Sequence, residues 1–84
     1  MQLTNRKLST HNSTLNQLII ELQEECQNVL SLINQLQLPE LRDRQKCQIL
    51  SELLVASIHL HSHCDEDWQN LISDEWETLT DYDI

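Results

Sequence analysis

His59, His61, His63, Cys64, Asp65, Glu66 and Asp67 fall within the nine residues of the stretch HLHSHCDED. Imidazoles, a thiol and carboxylates are the side chains that bind transition metals, and zinc accepts this mixture readily. Whether they could hold one ion depends on the element that carries them. On an α-helix, residues two apart point about 200° from each other, so the three histidines cannot share a face. Two subsets result. His59, His63 and Asp67 follow at four-residue spacing and form one stripe, where two imidazoles can grip a metal ion with the carboxylate as a third ligand. His61, Cys64 and Asp65 form the other. Neither subset comes with a CxxC or an HExxH. The plainer expectation is that these side chains fill and flank a helical seam, with no cofactor. The alternative is a zinc-binding or metal-responsive protein using His59, His61, His63, Cys64 and Asp67.

The second distinctive stretch is CDEDWQNLISDEWETLTDYDI. Residues 65–84 carry eight acids and no Lys or Arg, whereas residues 1–64 carry six acids against five bases. The formal charge of −9 is thus concentrated in the last quarter of the chain. Nucleic acids are bound through cations that neutralise phosphates, so direct nucleic-acid binding is not expected of this surface. A basic protein partner fits it. Trp76, Leu79 and Tyr82 are interleaved with Glu75, Glu77, Asp81 and Asp83. Trp and Tyr are frequent at the energetic centres of interfaces, and an acidic helix bearing them can lie in a partner's groove. These seven residues are the expected partner-binding set.

No Gly-rich phosphate loop, nucleophile elbow or ExxH pair is present, and an enzyme is not expected. Cys26, Cys47 and Cys64 are odd in number and have no framework spacing. With no charged-then-apolar leader and no apolar run near 18 residues, the expectation is a reduced cytoplasmic protein that does not enter a membrane.

The elements that must position these residues follow from composition and period. The chain has 84 residues, no Gly and one Pro, Pro39, which favours an all-α fold over one rich in turns. Residues 1–12 have no usable period and read as a mobile arm. From residue 13 the apolar positions Leu15, Ile19, Leu22, Cys26, Val29, Ile33 and Leu36 alternate steps of four and three, an unbroken heptad seam. Thr14 and Gln17 have the spacing of a capping box. Leu38-Pro39-Glu40 is the turn signal, since Pro ends one helix and suits the first turn of the next. Helices over 13–37 and 39–72 would then be antiparallel neighbours, with residue 64 level with about residue 13.

The second helix has its own seam, Cys47, Leu50, Leu54, Ser57, His61, Cys64, Trp68 and Leu71, which stays in phase throughout. A break at residues 62–65, giving three helices, is the alternative. Residues 73–84 form an acidic segment with a short helix or tail, for which Asp74 and Glu77 offer a capping pair. A lone hairpin leaves wide apolar stripes in water, so a homodimeric four-helix bundle is the expected architecture. The expected function is a small non-enzymatic interaction or regulatory module that binds a basic partner through residues of its acidic end.

Overall fold

The computed structural model of the chain describes residues 10–83, most of which are helical, with no strand among them. Three helices follow in order: α1 (Ser13–Leu36), α2 (Asp43–His63) and α3 (Glu66–Asp83). The all-α expectation holds, but the continuous second helix over 39–72 does not, because α2 stops at His63 and α3 starts at Glu66. Among the described residues no helix is long and apolar enough to cross a membrane.

The caps differ from the expected ones. Asn12, in extended conformation, caps α1 by accepting from the Leu15 N–H at 3.0 Å. Thr14 therefore lies inside the helix, and Gln17 donates to Glu21 instead of closing a capping box. Of the arm expected over 1–12, residues 1–9 lie outside the described residues, while the Thr10 hydroxyl is joined to Asn12 and Asn16.

The connection between α1 and α2 runs from Gln37 to Arg42, longer than Pro39 alone implied. Glu40 has φ 63°, a left-handed conformation that no helix can continue through. The extra residues carry Leu41 back onto the core. α2 then begins with the Arg42 backbone N–H donating to the Gln45 side chain at 2.8 Å.

The core sits in the α1–α2 hairpin. Leu32, Ile49 and Ala56 are buried together, with Val29, Leu36, Leu41 and Leu53 packed against them. The buried stripe of α2 is thus Ile49, Leu53 and Ala56, followed by the half-buried Leu60 and His63. The expected seam lies on another side: Cys47, Leu50, Leu54, Ser57, His61 and Cys64 are all exposed. α2 has apolar side chains on both flanks, so a three–four spacing fits either stripe, and packing against α1 selects the first.

Past the break the buried positions resume at Trp68, with Leu71 and Glu75 half-buried. The five-residue step from His63 to Trp68 marks the interruption. α3 runs antiparallel to α1, prolonging the direction of α2. His63 lies beside Glu25, and Glu75 lies beside His11. Residue 63 is therefore level with residue 25, not with the start of α1. His11 meets α3 rather than the region of Cys64.

Candidate functional site

The stretch HLHSHCDED straddles the α2–α3 break, and its chemistry is that of two abutting helix ends. His61 and His63 occupy the last turn of α2, where the helix presents its unpaired carbonyls. Asp65 caps α3: its Oδ1 accepts from the Trp68 N–H at 2.9 Å and its carbonyl from the Gln69 N–H at 3.1 Å. Glu66 and Asp67 stand in the first turn of α3, at the positive end of the helix dipole. The Cys64 carbonyl accepts from the Gln69 side chain, which ties the two helices across the break.

The side chains of this stretch diverge. His59, His61, Cys64, Asp65, Glu66 and Asp67 are exposed. His63 turns inward and is only 8% exposed in its side chain. Its ring meets the Trp68 indole in an edge-on contact, centroids 5.0 Å apart. Its Nδ1 lies 3.8 Å from Glu25 Oε2, too far for a hydrogen bond. Among the described residues, Glu25 Oε2 and His63 Nε2 are buried without a hydrogen-bond partner. The expected stripe of His59, His63 and Asp67 is not assembled into a ligand set, because α3 begins between its second and third members. Among the described residues no three His, Cys, Asp or Glu side chains converge as metal ligands do. Cys26, Cys47 and Cys64 are free and exposed, although heptad spacing puts all three on seams.

The acidic end is a regular helix starting well before the expected Asp74. Its inner side is Trp68, Leu71 and Glu75. Glu75 is engaged within the fold: its side chain is 10% exposed, accepts from the His11 backbone N–H at 3.1 Å, and stands 3.6 Å from the His11 ring. The outer side is Ile72, Trp76 and Leu79, spaced four and three apart and all exposed, with Trp76 at 70%. Ser73, Glu77 and Thr80 line an open groove beside the Trp76 indole. Thr78 and Thr80 bond back to the carbonyls of Asp74 and Trp76, which leaves their hydroxyls little freedom to serve elsewhere. Of the expected partner-binding residues, Trp76, Glu77 and Leu79 thus share the outer part of α3. The side chains of Asp81, Tyr82 and Asp83 lie outside the described residues.

Ile72, 40% exposed, belongs to the outer ridge rather than to the core. The signal for it was its four-residue spacing from Trp76. Comparison of the chain with protein-family models, curated proteins and solved structures finds no match.

Proposed function

We propose that this chain is a small non-enzymatic interaction module, working as a homodimer, that receives a basic amphipathic segment of a partner protein on the outer face of α3. The observation that carries this reading is Trp76, 70% exposed at the middle of an apolar ridge formed with Ile72 and Leu79. An indole loses more from contact with water than almost any other side chain, and Trp is the residue most often found at interface hot spots. Glu77 lines the groove beside it, and the whole of α3 contains seven acids and no base. An apolar ridge with acidic flanks complements a helix whose apolar stripe is flanked by Lys or Arg. The ridge supplies affinity through desolvation, and the acids supply encounter rate and orientation.

The test uses a synthetic helical peptide of Leu and Lys at heptad spacing, labelled with fluorescein, and follows its anisotropy on titration with the full chain. Saturable binding that weakens with salt is expected, and Trp76→Ala should reduce it by about tenfold or more. Leu30→Ala, at an exposed position on α1, should leave it unchanged. Equal binding by the Trp76→Ala variant would show that the peptide reads bulk acidity alone, and the ridge would lose its role.

A further inference from the structure

α2 carries apolar side chains on two sides, and α1 covers only one. The other side presents Cys47, Leu50, Leu54, Ile58 and His61, all exposed, with Leu50 at 52%, Leu54 at 62% and Ile58 at 55%. The steps are three, four, four and three, and no residue among the five is Asp, Glu, Lys or Arg. On α1, Cys26, Leu30 and Ile33 are likewise exposed. A groove between α1 and α2 lies on the opposite flank, with Leu32 and Ala56 at its floor and Asn28, Ser51, Glu52, Val55 and His59 around it. At 100° per residue, that groove fixes which way both helices are turned. Cys26, Leu30 and Ile33 then fall on the same side of the hairpin as Leu50, Leu54 and His61. Between Cys47 and His61 one broad side of the hairpin is therefore apolar and without formal charge, with Asp43 and Lys46 at its start, and the other is mostly polar.

A face of this kind is complementary to itself, which is what a two-fold contact between identical chains requires. Contiguous exposed apolar area on this scale marks an interaction surface. The charges at the two ends of α2 decide the direction. Arg42, Arg44 and Lys46 stand at its start, outnumbering Asp43 among them, and Asp65, Glu66 and Asp67 follow its end. Parallel pairing would set bases beside bases and acids beside acids. Antiparallel pairing about Leu54 sets Cys47 level with the partner's His61 and Arg44 level with the partner's Cys64. The basic run then spans the partner's last α2 turn and the step into its α3.

We propose that two copies pack through this face about a two-fold axis beside Leu54, with the two α2 helices antiparallel and Arg42 level with the partner's Glu66. This gives the homodimer of the proposed function a definite face and direction, and rests on that homodimer; it is independent of what α3 binds.

The experiment treats an equimolar mixture of isotope-labelled and unlabelled full-length chain with a zero-length carbodiimide cross-linker, followed by native mass spectrometry and peptide mapping. The expected product is a mixed-isotope dimer in which Lys46 is joined to Asp65, Glu66 or Asp67. Within one chain that link is impossible, because Lys46 and His63 are about 26 Å apart along α2. Leu54→Glu should weaken the dimer about a hundredfold while the circular dichroism of the monomer is kept, since Leu54 is exposed in the single chain. Val55→Glu, exposed on the opposite flank, should leave the dimer intact. A chain monomeric at high micromolar concentration overturns the homodimer itself. A dimer that survives Leu54→Glu, or whose cross-links avoid Lys46 and residues 65–67, keeps the homodimer and overturns this face.

Discussion

His63 and Trp68 meet edge-on across the α2–α3 break, ring centroids 5.0 Å apart and planes at 60°. One ring closes α2 and the other opens α3, so the contact sets how the two helices join. The same imidazole leaves Nε2 buried and unpaired, facing away from a Glu25 oxygen that is also unpaired. A buried polar atom without a partner costs about 1–3 kcal/mol.

His63→Phe keeps an aromatic edge against Trp68 and removes the unpaired nitrogen. Its urea-unfolding midpoint should equal or exceed that of the parent. His63→Ala should fall by about 1–2 kcal/mol, having lost the ring contact. Glu25→Leu combined with His63→Phe should exceed the sum of the two single changes, because each single change leaves one polar atom facing an apolar neighbour.

Asp65→Ala removes the side chain that accepts from Trp68 N–H. A lost N-cap costs about 1 kcal/mol, and Asp65→Asn should recover most of it because the amide oxygen accepts equally well. A thermal melt of the three proteins checks this. Equal melting temperatures would mean that α3 does not depend on its cap.

Leu30 and Leu32 differ by two positions and by everything that matters to stability. Leu32 is buried in the core cluster, whereas Leu30 is 58% exposed. Leu32→Ala should cost about 3 kcal/mol and Leu30→Ala less than about 1 kcal/mol in denaturant titrations of the dissociated chain.

Glu40→Gly should stabilise the chain, an unusual direction for a change to glycine. Glu40 has φ 63°, where a side chain with a Cβ is strained by about 1 kcal/mol and glycine is not. The gain should appear as a higher unfolding midpoint with unchanged helix content.

The helical class was legible in the sequence because a chain without Gly, with heptad-spaced Leu and Ile and a single Pro, has few other ways to bury its apolar residues. The break was harder to read. Leu50, Leu54 and His61 share a three–four spacing with Trp68 and Leu71, so periodicity runs through residue 64 without a mark. The local chemistry carried the mark instead. His61 and His63 before Cys64, then Asp65, Glu66 and Asp67, form the charge pattern of one helix ending and another beginning. Read as a ligand cluster, the same residues suggest a metal; read as caps, they predict the break. The inward turn of Glu75 toward His11 depends on α3 lying along the start of α1. That follows from the fold of the whole chain and has no local signal.

Connectivity also orders the assembly of the molecule. The α1–α2 hairpin closes over a connection of six residues, while the His11–Glu75 hydrogen bond joins positions 64 apart. Contacts near in sequence form early, and those that close long loops form late. During synthesis, the hairpin has all its residues once His63 has emerged. Leu15, buried at the end of α1 that α3 reaches, must wait for the rest of the chain. α3 is therefore the last helix to arrive and the first to leave, and its amide protons are the ones that exchange earliest with deuterated solvent.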